Sequence, residues 1–302
     1  MLHAPRYEEL ETPEAGGGQL LAEVLAAGLH PRVRSGAGGT HYTGDGRLPM
    51  VPGVDGVGRL PDGRRVYFVA GDDGPGTMAE RAVLDPRRAV ELPEAADAVA
   101  VAAAMNPATS SWVALRRRVD FEPGQSVLVL GATGDAGRLA VEVARHLGAS
   151  EIVAVGRDPR RLELITGLGA TRVVSTADAD KLTADVDVVL DYTWGAPAEL
   201  AMRALVTHRT ERSKPLAWVQ MGSPAGADVT LPSALLRAAN LRIMGSGQGS
   251  LTTAGIVAEL PALLDELAAG TFGTAAKAIP LAEVEDTWTA PSDPGERIVF
   301  TP

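Results

Sequence analysis

The sequence predicts an α/β fold, a doubly wound parallel sheet preceded by a β-rich segment. Three observations carry this reading. Residues 1–105 hold short apolar runs cut by Gly and Pro. From Asn106 onward, strand-like and helix-like stretches alternate. A glycine-spaced turn, Gly131-x-x-Gly134-x-x-Gly137, joins an apolar strand to a helix. Near-continuous apolar strands alternating with helices belong to a parallel sheet covered on both faces.

In the first segment the runs are Leu20–Ala27, Met50–Gly58, Arg65–Ala70 and Arg81–Leu84, the punctuation of a strand-and-loop region. Beyond Asn106, Ser126–Leu130 reads as a buried strand. Gly137–Leu147 follows as a helix, with Leu139, Ala140, Val143, Ala144 and Leu147 at helical spacing and Gly148 closing it. Ile152–Val155 is a second buried strand. Asp158-Pro159 reads as an N-cap with proline at the first helical position. Further strands fall at Arg172–Val174, Val186–Leu190, Leu216–Gln220 and Leu241–Met244, with a helix at Pro197–Val206. A helical region spans Thr252–Ala269, kinked or divided at Pro261. Then come a strand at Lys277–Leu281, a short helix through Trp288 and a last strand at Arg297–Phe300. The last sixty or so residues no longer alternate cleanly, which suggests that they fold back onto the first segment.

The chain has 302 residues, room for about two domains. Its 45% hydrophobic and 22% charged shares exclude a disordered chain, a collagen and a coiled coil. The longest uninterrupted apolar run, Ala98–Met105, is short of the roughly 18 residues of a membrane helix. Glu8, Glu9, Glu11 and Glu14 replace the basic start of a signal peptide. There is no cysteine, which excludes disulfides, iron–sulfur clusters, thiolate zinc sites and cysteine nucleophiles. The expected location is cytoplasmic. A net charge of −10 disfavours nucleic-acid and membrane partners.

In the strand–turn–helix setting each glycine has a role. Gly131 permits the tight turn, Gly134 lets a pyrophosphate approach the backbone, and Gly137 lets helix and strand pack closely. The N–H groups at the helix start then face the phosphates. Asp135, within the loop, must point to solvent or cap the helix. An NAD site usually places Asp or Glu at the end of the second strand, to hold the ribose 2′-OH. Here that position is Gly156, followed by Arg157, with Arg160 and Arg161 one turn on. A guanidinium fork there pairs with a 2′-phosphate, which selects NADPH. Asp158 has a competing role as ribose ligand, and the arginines a competing one as a solvated surface cluster.

Over nearly its whole length the chain resembles the zinc-free medium-chain dehydrogenase/reductases, in their quinone oxidoreductase-like branch. The segments that carry the resemblance are Val51–Gly58, Arg65–Phe68, Gly76–Glu80, Pro123–Gly134, Gly167–Ala170 and Pro280–Val284. The resemblance implies a GroES-like barrel domain over residues 1–105, with 246–302 folding back onto it. A Rossmann NADPH-binding domain over 106–245 is inserted between, and substrate and cofactor meet in the cleft between domains. Zinc-dependent relatives carry Gly-His-Glu where this chain has Gly53-Val54-Asp55, so no metal is expected. His30 and His41 fall in the cleft-lining segment without a clear third ligand.

By the same resemblance the cofactor contacts fall on Gly131, Ala132, Thr133, Gly134, Asp135, Ala136, Gly137, Gly156, Arg157 and Arg160. Ser110, Asp191, Tyr192, Met221, Gly222, Ser246 and Gly247 complete the set. The reaction implied is hydride transfer from NADPH to a quinone, or to an α,β-unsaturated carbonyl of a biosynthetic pathway. A non-catalytic NADPH-binding protein is the third reading. The developing anion needs a hydrogen-bond donor. Tyr42 is the first candidate and Tyr192 the second. His30-Pro31-Arg32-Val33 stands where relatives carry Asn-Pro or Asn-x-x-Asp. The apolar edge strand Leu241–Met244 points to a homodimer.

Overall fold

The computed structural model describes residues 5–43, 48–71, 74–182, 185–290 and 295–302. The chain divides into two compact units, Met1–Asn106 with Ile256–Pro302, and Pro107–Gly255.

The first unit begins with β1 (Leu20–Gly28), α1 (Pro31–Ala37), β2 (Asp55–Arg59), β3 (Arg65–Val69), β4 (Arg81–Leu84) and β5 (Ala89–Glu91). Strand β1 is the hub. It pairs antiparallel with β2 and β4, and the sheet continues from β2 through β3 to β5. Of the apolar run read at Met50–Gly58, only the part from Asp55 onward becomes strand. Helix α2 (Ala98–Val113) follows. It begins eight residues before Asn106, where the change of texture was expected. Ala98–Arg118 is long and apolar enough to cross a membrane by length and composition, but 67% of its apolar 18-residue window is buried inside the protein. A helix apolar on all faces is a core helix when protein covers it.

The second unit alternates strand and helix: β6 (Ser126–Leu130), α3 (Asp135–His146), β7 (Glu151–Gly156), α4 (Pro159–Thr166), β8 (Arg172–Ser175) and β9 (Val188–Asp191). It continues through α5 (Gly195–His208), β10 (Leu216–Gln220), α6 (Ser233–Ala238), β11 (Leu241–Gly245) and α7 (Thr253–Val257). Among the described residues the sheet has six strands, all parallel, in the order β11-β10-β9-β6-β7-β8. That is the doubly wound order, and it reverses direction between β6 and β9. Leu128, Leu130, Val153, Val155, Val189, Leu205 and Trp218 are buried in the core of one face. Helix α3 ends as the sequence indicates, with Gly148 at φ 88° just beyond its C-cap.

The chain then returns to the first unit with α8 (Leu260–Ala268), β12 (Ala275–Pro280), α9 (Val284–Thr287) and β13 (Glu296–Thr301). Pro261 stands in the first turn of α8, so it divides the helical region rather than kinking it. Strand β13 pairs antiparallel with β1, with Ala27 opposite Phe300, and parallel with β12. Phe300, Ile298, Leu281 and Trp288 share one core with Val24, Phe68 and Leu84.

Candidate functional site

The parallel sheet lines up its strand ends. Across the register Leu130 stands beside Val155 on one side and Asp191 on the other; Asp191 stands beside Gln220, and Gln220 beside Gly245. The residues that follow form one row along the carboxyl edge: Gly156, Gly131, Tyr192, Met221 and Ser246. Open α/β sheets bind ligands at this edge, where strand order reverses.

Between β6 and α3 the turn is shaped by close approach. Gly131 has φ 89°, and a Cβ there would lie 2.9 Å from Thr193 Cγ2. A Cβ on Gly137 would strike the Gly131 carbonyl. Gly134 is exposed and is the N-cap of α3, with no side chain capping the helix. A helix start that no side chain caps is suited to a phosphate. Asp135 is the first helical residue rather than the cap.

At the end of β7, Arg157 and Arg160 are exposed. The Asp158 carboxylate accepts the N–H of Arg160 at 3.0 Å and of Arg161 at 3.5 Å. The carboxylate is therefore engaged as the N-cap of α4, the first of its two sequence-level roles. Gly156 leaves less room than its size suggests. A Cβ there would lie 2.6 Å from Thr133 Cγ2 and 3.1 Å from Leu162 Cδ2. The missing side chain makes space for Thr133 of the glycine turn.

Asp191 ends β9 and is fully buried. Its Oδ1 accepts the N–H of Thr193 at 2.8 Å, the Thr193 hydroxyl at 3.0 Å and the N–H of Trp194 at 2.9 Å. Its Oδ2 accepts the Trp218 indole N–H at 3.0 Å. Burial raises its pKa against those hydrogen bonds. Tyr192 lies next to it, half-buried. Ser110 Oγ donates to the Pro107 carbonyl at 2.6 Å, so the phenol is the donor in its 3.0 Å contact with Ser110 Oγ. Burial pushes the phenol up to about 12, and its proton is engaged by Ser110. Met221 and Gly222 direct their N–H groups to the Asp191 carbonyl, and Ser246 N–H bonds to the Gln220 carbonyl. Gly247 N–H is held by Ser250 Oγ at 2.8 Å.

In the first unit, Tyr42 is 69% exposed, its ring 4.6 Å from that of His41. Thr43 donates to His41 Nδ1, and burial lowers the His41 pKa. Sequence reading left a different cluster unassembled. His30 Nε2 donates to Asp55 Oδ1 at 2.9 Å, Asn106 Nδ2 donates to the same oxygen at 3.3 Å, and the Tyr67 hydroxyl donates to Oδ2 at 2.9 Å. His30, Asp55 and Tyr67 are all buried. Burial lowers the His30 pKa, outweighing its bond to Asp55, and it raises the Tyr67 phenol well above its ordinary value. A carboxylate inside the apolar run Val54-Asp55-Gly56-Val57 was the available signal, because a buried charge must find partners.

Zinc does not fit these residues. Both oxygens of Asp55 are already engaged by protein donors, Val54 offers no ligand atom, and the chain has no thiolate. Among the described residues no three His, Asp or Glu side chains are grouped to hold a metal.

Comparison with known proteins agrees with this architecture. Residues 136–269 match the family described as zinc-binding dehydrogenase. A probable NADPH-dependent quinone reductase of Emericella nidulans is 33% identical over 352 aligned positions, covering 99% of this chain and 96% of that protein. A chloroplastic NADPH-dependent alkenal/one oxidoreductase of Arabidopsis thaliana is 29% identical over 59% of this chain, which spans about half of that protein (51%). Among solved structures, the quinone oxidoreductase of Thermus thermophilus, determined also in complex with NADPH, superposes with a TM-score of 0.81. It is 26% identical and covers 98% of this chain and 95% of its own. The fold and the carboxyl-edge site define a medium-chain oxidoreductase. The chain belongs to the zinc-independent medium-chain dehydrogenase/reductase family, in its quinone-reductase-like branch.

Proposed function

We propose that this protein is an NADPH-dependent reductase that transfers a hydride to a quinone without zinc. The observation that carries the reading is the Gly131–Gly137 turn, which leads into the uncapped start of α3 at the carboxyl edge of the parallel sheet. The Emericella relative, named for NADPH and quinone, and the NADPH complex of the Thermus neighbour support it.

Bound NADPH supplies the hydride, and the protein supplies orientation and charge. Gly131, Ala132, Thr133, Gly134, Asp135, Ala136 and Gly137 form the pyrophosphate turn. Arg157 and Arg160 are the cations for the 2′-phosphate beside Gly156. Ser110, Tyr192, Met221, Gly222, Ser246 and Gly247 line the nicotinamide end, with Asp191 beneath them. Tyr42 and Tyr192 are the phenols proposed to donate to the developing oxyanion. The Tyr192 phenol stays protonated at neutral pH, and because its one proton rests on Ser110 Oγ it must turn from that acceptor to donate to the oxyanion.

A second reading, reduction of the C=C bond of an α,β-unsaturated carbonyl, is supported by the Arabidopsis relative, named for alkenals and enones. We further propose a cytoplasmic homodimer that pairs through β11, whose Ile243 is exposed at the sheet edge. NADPH oxidation against a panel of quinones and enones tests the function. Turnover of quinones supports the first reading and turnover of enones alone the second. NADPH binding with no turnover of either would make the protein a non-catalytic NADPH binder.

A further inference from the structure

We propose that Asp191 is a positioning residue for the cofactor turn: it pins the segment Asp191–Gly195 against Gly131 and makes no side-chain contact with NADPH. The proposal rests on the NADPH reading above and adds a residue role to it.

Three observations meet at this residue. First, its carboxylate is fully buried, and both oxygens are engaged by protein donors. An ionised carboxylate offers about four lone-pair sites, and Asp191 receives four protein donors, three on Oδ1 and the Trp218 indole on Oδ2. With three donors on Oδ1, the indole on Oδ2 and no exposed surface, the carboxylate presents nothing for a ribose hydroxyl to reach. Its main-chain carbonyl is occupied as well, by the N–H groups of Met221 and Gly222.

Second, the segment it pins is strained. Trp194 has φ 53° and ψ −163°, a region that residues with a side chain rarely occupy, and Gly195 follows at φ 59°. Such a conformation persists only where surrounding bonds over-determine it. Two restraints are visible: the Trp194 N–H on Asp191 Oδ1, and the Trp194 side chain packed on the sheet core.

Third, the pinned segment is the wall behind the first glycine of the cofactor turn. A Cβ at Gly131 would meet Thr193 Cγ2 at 2.9 Å and Tyr192 Cβ at 3.3 Å. If the segment relaxes, that wall moves, and the path of the glycine turn is no longer set.

The test exploits the division of labour between the two carboxylate oxygens. Asp191→Asn must aim its NH2 either at the Trp218 N–H or at the three donors of the turn, so two donors face each other in both cases. Adding Trp218→Phe removes the first conflict and lets the amide oxygen stay on the turn. NADPH affinity is read by titration of cofactor fluorescence, with folding checked by thermal melting. D191N should raise the NADPH Kd at least tenfold, with KM for NADPH rising in step. D191N/W218F should return Kd to within threefold of wild type. Thr193→Ala removes one donor and the methyl against Gly131 from a half-buried turn. It should raise Kd at least threefold, and it serves if the Asp191 variants do not fold. Unchanged Kd in D191N or T193A, or a folded double variant as weak as D191N, overturns the positioning role. Failure of the wild-type protein to bind NADPH would instead overturn the functional reading beneath it.

Discussion

His30 donates its Nε2–H to Asp55 Oδ1 at 2.9 Å, and Tyr67 closes the other carboxylate oxygen from the neighbouring strand. The three residues are buried in the strand-rich unit, and each satisfies a polar group that the core would otherwise strand. Removing one hydrogen-bond partner of a buried carboxylate leaves a charged group less satisfied, which costs about 1–3 kcal/mol or more. His30→Ala should therefore lower the unfolding free energy read from urea titration by an amount in that range, and His30→Gln, which keeps an amide donor, by less. A loss under about 1 kcal/mol, the worth of an ordinary hydrogen bond, would show that the pair carries no special weight.

The same histidine gives the protein an acid-sensitive stability. Its pKa is lowered from 6.5 in the folded state, chiefly by burial. As pH falls below 6.5, the unfolded chain takes up this proton first, so stability falls through the window between 6.5 and the lowered folded value. The contribution is fully present above 6.5. Wild-type protein should lose more stability than His30→Gln between about pH 7.5 and about pH 5.5. An equal loss in both would assign the acid sensitivity to other groups.

In the proposed reading Gly156 serves both cofactor choice and packing. A methyl there would press on Thr133 Cγ2 at 2.6 Å, and overpacking typically costs about 1–3 kcal/mol. Gly156→Ala should lower the melting temperature and weaken NADPH, because Thr133 belongs to the glycine turn. Unaltered cofactor affinity in a destabilised Gly156→Ala would separate the packing of this glycine from the cofactor site.

How much of this was legible in the sequence depends on how local the cause is. The Gly131-x-x-Gly134-x-x-Gly137 turn, the Asp158-Pro159 helix start and the Pro261 break are set by neighbours in the chain, and each stands where it was read. Helix α2 was missed as a helix because its alanine- and valine-rich run has no polar face to betray a period. The His30–Asp55–Tyr67–Asn106 cluster joins residues 12 to 51 positions from Asp55, and no spacing rule connects them. The engagement of Asp191 by Trp218, 27 residues away, was hidden for the same reason. The resemblance put Asp191 among the cofactor contacts, and no local pattern in the sequence shows that its carboxylate is buried.

Arg157 is exposed just past β7, beside the glycine whose space Thr133 fills. A hydrogen bond to a charged group contributes roughly 1.5–3 kcal/mol, or about 10- to 150-fold in affinity. Arg157→Ala should weaken NADPH at least tenfold and leave NADH little changed, as read by parallel titrations. An unaltered NADPH constant would place the 2′-phosphate elsewhere and return Asp158 to consideration as a ribose ligand.

The most direct test of the account is anaerobic turnover of a simple quinone by purified protein with NADPH and, separately, with NADH. One NADPH should be oxidised per hydroquinone formed, with kcat/KM for NADPH at least tenfold above that for NADH. No hydroquinone above the protein-free rate, or equal use of the two cofactors, would contradict it.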